Sequence, residues 1–175
     1  MVVVSVDPAG TEAKDLLWRL MQLYLHDYSE FDGSLPAENG EYAYGFFEAY
    51  WRPPRVRFPF LIRVDGQIGG FALARVLDNG RFSMAEFFVL RAWRRQGVGR
   101  AAARLIFNRF GGPWDVTEHP TNLPAQAFWR KVIGELTGGD FRDRSGVLLA
   151  WQQFELPATP PSGPQPGNAE GAGRP

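Results

Sequence analysis

The chain has 175 residues, no cysteine, two histidines, and nineteen basic against nineteen acidic side chains. Without cysteine there is no disulfide, no thiolate nucleophile and no Cys-ligated zinc, and two widely spaced histidines, His26 and His119, argue against a His-based metal site. Zero net charge leaves no global electrostatic reason to expect nucleic acid or an anionic membrane as a partner.

No apolar run is long enough to cross a bilayer, and the start Met1-Val-Val-Val is too short for a signal peptide. A cytoplasmic location is the expectation that follows. The length suits one domain over residues 1–156, followed by a tail.

In chain order, residues 2–6 read as a first strand. Asp7-Pro8 reads as an N-cap and a first-turn proline, opening a helix over residues 9–28. Leu16, Leu17, Leu20, Leu23 and Tyr24 recur in it at helical spacing, which predicts a core-facing stripe. A loop over residues 33–40 leads to an aromatic stretch, residues 42–51, read as a short helix that Pro53-Pro54 ends. Strands follow over residues 59–64, 67–77 and 81–90, with turns at Asp65-Gly66 and Asp78-Asn79-Gly80. A helix from Val98 to about Phe110 carries Val98, Ala102, Leu105 and Ile106 on one stripe, with Arg100 and Arg104 toward water. Gly111-Gly112-Pro113 ends it. Residues 114–118 form a short strand, residues 122–133 a helix capped by Thr121 or Asn122, and residues 140–155 two more strands. From Pro157 the composition is nearly all Pro, Gly, Ala and small polar residues, so residues 157–175 are expected to be disordered.

This order implies a mixed α/β (α+β) domain with a mostly antiparallel sheet flanked by helices. A helix links the fourth and fifth strands, so those two should be parallel. If they splay apart, a ligand can enter between them.

The strand, turn and helix from Glu86 to Ala101 carry the first chemical signal. Glycine at Gly97 and Gly99 lets a ligand approach the main chain, and the free N–H groups and dipole of the helix start favour a phosphate. Arg94, Arg95 and Arg100 add positive charge. The competing reading is a helix start whose glycines only pack closely against a strand.

Two stretches resemble the GNAT superfamily of acyl-CoA-dependent N-acetyltransferases. Phe87-Phe-Val-Leu-Arg-Ala-Trp-Arg-Arg-Gln-Gly-Val-Gly-Arg100 is similar to the family's strand and pyrophosphate loop. Asn122-Leu-Pro-Ala-Gln-Ala-Phe-Trp-Arg-Lys131 is similar to its Asn-x-x-Ala-x-x-Phe-Tyr-x-Lys helix. The resemblance implies the GNAT fold, splayed between the fourth and fifth strands, and acetyl transfer from acetyl-CoA, with no metal, to a primary amine by direct attack on the thioester. Arg94, Arg95, Gln96, Gly97, Val98, Gly99 and Arg100 would surround the pyrophosphate. Main-chain groups of Phe87, Phe88 and Val89 would meet the pantetheine arm, and one of those amides would polarise the thioester carbonyl. Asn122 and Trp129 would lie near the reactive end.

The attacking amine must lose a proton, and Glu86, which opens the strand facing the thioester, is the first candidate base. Glu118, at the end of the short strand, is the second. Either carboxylate could instead be a strand-end group paired with an arginine, and His119 reads as a plain loop histidine. Trp129 stands where many family members carry a tyrosine that protonates the leaving thiolate. Three explanations stay open: thiolate leaves unaided, Tyr24, Tyr28 or Tyr44 serves instead, or the domain is a non-catalytic acyl-CoA-binding or partner-binding module. The expected acceptor is a small-molecule or peptide amine. His26, Asp27, Tyr28, Glu30, Asp32, Glu38 and Glu41 are either an acidic, aromatic lining for a cationic amine or an ordinary solvated face. Dimerisation is common in the family, and a homodimer is the corresponding expectation.

Overall fold

A computed structural model describes residues 2–146 and 148–158, so all but the first two residues of the expected tail lie outside the described residues. The strands are β1 (Val4–Pro8), β2 (Arg57–Val64), β3 (Gln67–Val76), β4 (Phe82–Val89), β5 (Gly112–Glu118), β6 (Arg142–Ser145) and β7 (Ala150–Leu156). They form one sheet in the order β1-β2-β3-β4-β5-β7-β6. Among these strands only β4 and β5 pair in parallel, as the intervening helix requires.

Helices α1 (Lys14–Asp32), α2 (Val98–Phe110) and α3 (Leu123–Thr137) cover the two faces. Leu17, Leu20 and Met21 of α1 pack with Phe47 and Tyr50 on Phe71, Leu73 and Phe88 of the sheet. On the other face Ala102, Ile106 and Phe107 of α2 and Trp129 and Ile133 of α3 enclose Trp114, Val116 and Phe154. The alternation of β4 divides its side chains between the layers, with Phe87 joining the α2 and α3 layer and Phe88 the α1 layer.

Four local expectations change. Asp7 and Pro8 belong to β1, and the strand pairing runs on through Ala9, whose N–H donates to Pro59 O at 2.9 Å. Pro8 is tolerated there because β1 is an edge strand. After a 3-10 turn over Thr11–Ala13, α1 begins at Lys14 and runs to Asp32, where Gly33 takes the left-handed conformation that ends it. The aromatic stretch is helical only over Phe47–Trp51, as a 3-10 helix. Leu23 and Leu105 are exposed, and Met21 and Phe107 occupy the core in their place.

The gap between β4 and β5 has two local causes. Their pairing covers only Phe82↔Trp114, Ser83↔Asp115 and Met84↔Val116. Immediately beyond, β4 bulges at Ala85, because Ala74 faces Met84 while Leu73 faces Glu86. A bulge bends its strand, so residues 86–89 leave β5 with their outer edge unpaired. At the closed end Arg81 holds the strands together: Nε donates to Asp115 Oδ1 (2.6 Å), and one terminal nitrogen donates to the carbonyls of Trp114 (2.6 Å) and Phe154 (3.3 Å).

Candidate active site

The open edge of β4 forms one wall of a cavity of about 730 Å³ that α1, α2 and α3 complete. Ten of the twelve residues expected around the cofactor line it: Phe87, Phe88, Val89, Arg94, Arg95, Gly97, Gly99, Arg100, Asn122 and Trp129. Gln96 and Val98 do not. Gln96 Nε2 donates instead to the Ala92 carbonyl (2.8 Å), and the Val98 side chain is buried beneath α2.

At the turn, Gly97 caps α2 with φ of +81°, which excludes a β-branched side chain even though open space surrounds the position. Gly99 matters for a different reason, since a Cβ there would come within 3.2 Å of the Phe128 ring, which would have to shift by a few tenths of an ångström. The first N–H groups of α2 therefore open beside Arg95 and Arg100, both exposed. Arg94 is less available as a free charge. It donates to Val89 O (2.8 Å) and to Asp27 (2.6 Å), whose other oxygen accepts from Arg91 (2.6 Å). These arginines hold the Asp27 carboxyl below its ordinary range despite the opposing effect of its burial.

Backbone direction along β4 separates three residues that sequence groups together. Leu90 N–H donates to Gly69 O (2.8 Å), so alternation gives the N–H and C=O of Phe88 to β3 as well. Those of Phe87 and Val89 then face the open edge. Phe88 lines the cavity, while its own main-chain N–H and C=O are directed to β3.

Glu86 sits on the α1 side of β4 between two tyrosines. Tyr24 Oη donates to Glu86 Oε2 at 2.6 Å and Tyr44 Oη to Oε1 at 2.9 Å. Burial pushes the Glu86 carboxyl up, against the lowering effect of both hydroxyls and of the Arg75 charge. Burial and the facing carboxylate push both tyrosines above their ordinary range, so they stay protonated donors. Tyr24 lines the large cavity, whereas Glu86 and Tyr44 line a second, smaller one of about 210 Å³. The Tyr24–Glu86 hydrogen bond thus links a residue of one cavity to a residue of the other.

Glu118 lines neither cavity. It is buried on the opposite face, where neither carboxyl oxygen has a hydrogen-bond partner, and burial raises it to about 7 against the lowering effects of Gln152 and Arg130. His119 Nδ1 is paired with Thr121 Oγ1 at 2.8 Å, as a loop histidine would be. Asn122 Oδ1 accepts from Ala125 N–H (3.1 Å), the cap that starts α3. Trp129 is 5% exposed and packs edge-on against Phe87 with centroids 5.1 Å apart. Of the expected acidic lining, Asp27, Tyr28 and Glu30 face the large cavity and none faces the small one. Glu41 accepts from Trp18 Nε1 (3.2 Å) and Asp32 from Ser34 N–H (2.9 Å), as on an ordinary solvated face.

Sequence reading left two features out. It did not join Tyr24 and Tyr44 to Glu86, because contacts across 62 and 42 residues carry no local spacing signal. It also did not single out Arg57 and Arg75, which lie directly opposite one another on β2 and β3.

Among the described residues no helix is long and apolar enough to cross a membrane, and no group of three or more potential metal ligands is present.

The sequence profile of the acetyltransferase (GNAT) family matches residues 17–134. No curated protein matches the sequence. Among solved structures, an acetyltransferase from Thermus thermophilus superposes with a TM-score of 0.66 at 16% identity, covering 88% of this chain and 97% of its own. The ribosomal-protein-S18-alanine N-acetyltransferase of Escherichia coli gives 0.61 at 12% identity, covering 91% and 98%. The PaiA N-acetyltransferase of Thermoplasma acidophilum, solved with coenzyme A, gives 0.58 at 10% identity, covering 88% and 99%.

Proposed function

The chain belongs to the acetyltransferase (GNAT) family, and from that premise we propose that it moves an acetyl group from acetyl-CoA to a primary amine by direct attack on the thioester. The observation that carries this reading is the unpaired outer edge of residues 86–89, set against a cavity whose other end is the glycine start of α2. The two ends fit the two ends of the co-substrate. N–H groups of the first α2 turn, with Arg95 and Arg100, suit the pyrophosphate, and the outward main-chain groups of Phe87 and the N–H of Val89, whose carbonyl already accepts from Arg94, suit the amide-bearing pantetheine arm. Acetyl-CoA supplies the acetyl group already activated as a thioester.

The remaining chemistry is proton handling by this chain's own residues. Glu86 accepts protons from the incoming amine, and its raised carboxyl keeps it basic enough for the task. Tyr24 lines the large cavity and donates to Glu86, so it is suited to pass a proton to the departing sulfur and recover one from the carboxyl. An ammonium substrate gives up two protons as the carbon–nitrogen bond forms and the carbon–sulfur bond breaks. One ends on sulfur through Tyr24 and one in solvent through Glu86. Because burial and Glu86 raise the Tyr24 hydroxyl, Tyr24 acts as a relay for the proton held on the Glu86 carboxyl, a role open to a hydroxyl and closed to the Trp129 indole, whose N–H is a donor that cannot accept. A non-catalytic acyl-CoA-binding module is the second reading, and the tryptophan at that position is what favours it.

Calorimetric titration with acetyl-CoA, beside Gly97→Asp, tests the site. Aspartate tolerates the left-handed backbone better than most residues and sets a negative charge against the pyrophosphate. Saturable binding weakened at least about tenfold by the substitution, the scale of one lost charge-assisted contact, is expected. Absence of binding at millimolar acetyl-CoA overturns the reading. Binding without thiol release across an amine panel selects the non-catalytic alternative.

A further inference from the structure

Behind Glu86, on the face away from α2 and α3, the 210 Å³ cavity has an unusual charge arrangement. Arg57 of β2 and Arg75 of β3 are direct cross-strand partners, and both line it. Like charges directly opposite one another on a sheet face are destabilising unless something offsets them. Among the described residues neither arginine has a carboxylate within ion-pair distance, although the charge of Arg75 is felt at Glu86. Two guanidinium groups against the single carboxylate Glu86 leave one positive charge uncompensated.

One donor is also unsatisfied. Arg75 Nε is buried without a hydrogen-bond partner, an arrangement that is costly unless a ligand supplies an acceptor. Arg57 is held over the rings of Tyr50 (5.4 Å) and Phe46 (5.6 Å), an arrangement that orients a guanidinium without neutralising it. A free donor, a spare positive charge and a proton acceptor thus surround one small space.

We propose that this cavity receives the acceptor, and that the acceptor is a small amino-carboxylate: a primary amine for Glu86, with a carboxylate a few bonds away for Arg57 and Arg75. The inference rests on the acetyl-transfer reading and names its substrate class. Guanidinium forks match a planar carboxylate in two-point hydrogen bonding. The volume equals about seven waters at about 30 Å³ each, which suits a free amino acid of modest size and excludes an aminoglycoside-sized acceptor from lying wholly within it. An acceptor with a second cationic group would meet Arg57 and Arg75 as repulsion.

The test pairs acceptors that differ only in the anionic group, with thiol release from acetyl-CoA as readout: glycine against glycinamide, β-alanine and serine against ethanolamine, and O-phosphoethanolamine as the phosphoryl arm. Calorimetric binding of each to the CoA-loaded protein supplies a second readout. Turnover of the amino-carboxylates is expected, with Arg57→Gln and Arg75→Gln each raising their KM about 10- to 100-fold, the size of one charge-assisted hydrogen bond. Acetyl-CoA affinity should stay unchanged, because neither arginine lines the large cavity. Tyr50→Phe, a smaller change, should raise KM less.

Equal or better turnover of glycinamide or ethanolamine overturns the proposal while acetyl transfer stands. Preference for O-phosphoethanolamine overturns the carboxylate assignment. Neither turnover nor binding of any amino-carboxylate, in protein that binds acetyl-CoA, also overturns it. Failure to bind acetyl-CoA at all is the distinct failure of the underlying reading.

Discussion

Replacing Glu118 by glutamine should stabilise the protein at neutral and alkaline pH and leave it nearly unchanged in acid. The side chain is 6% exposed and neither oxygen has a hydrogen-bond partner. The nearby Arg130 is engaged with Asp143 at 2.6 Å. The folded carboxyl therefore holds its proton up to about 7, while in the unfolded chain it ionises near its ordinary 4.5. Because the folded value is the higher one, its contribution to stability is present below about 4.5 and is lost as pH rises through about 7. The interval corresponds to about 3 kcal/mol at about 1.4 kcal/mol per pH unit. Glutamine has the same shape and no charge to bury. Urea unfolding of wild type and Glu118→Gln at acid, intermediate and alkaline pH measures the difference directly. The advantage of the variant should grow by about 3 kcal/mol from acid to alkaline pH, equivalent to about 6–12 °C in Tm for a chain of this size. A constant gap at all three pH values refutes the reasoning. An acetyl-transfer rate that survives the substitution separates Glu118 from the reaction.

The companion variant Glu86→Gln should behave in the opposite way. It should lower kcat by about 10²- to 10⁴-fold with acetyl-CoA affinity intact, and unchanged kcat in thiol-release assays would remove Glu86 as the base. In the wild type, kcat/KM should fall as pH drops through a value above the ordinary carboxylate range, since burial raises this group and only its ionised form accepts a proton. Gly70→Ala should destabilise by about 2–3 kcal/mol. Its φ is +154° and an added Cβ would collide with the Phe88 carbonyl, so thermal unfolding at the wild-type midpoint would contradict the packing described.

What the sequence revealed divides along physical lines. Turn chemistry and alternating or helical hydrophobic periods are local, and the hairpin at Asp65-Gly66, the helix from Val98 to Phe110 and the Asn122 cap were all legible. The start of α1 was misread because Asp7-Pro8 carries a good capping signal, which the pairing of β1 with β2 overrides. Ten cofactor-loop candidates came together in one cavity because they lie in two contiguous motifs. The environment of Glu86 was not legible. Its tyrosine partners come from α1 and from the loop before Phe47, and the arginines behind it are brought together by the register of β2 on β3. Glu86 and Phe88 share the α1 face of β4, as strand alternation gives, yet the bulge at Ala85 that opens the edge leaves no mark in the sequence.

The three-residue junction between β4 and β5, bound by Arg81, is the pivot of a lever. From Met84 to Val89 the arm is about 17 Å long at about 3.3 Å per residue, so a rotation of about 5° at the junction moves its far end by about 1.5 Å. A displacement of about 1 Å between reacting groups is enough to cost about a hundredfold in rate. The guanidinium of Arg81, which lines neither cavity, holds the closed end of the gap from which this arm diverges, while β3 pairs with the arm along its inner edge. A sequence change at that remote corner would register as a defect in turnover, with every residue of the site still in place.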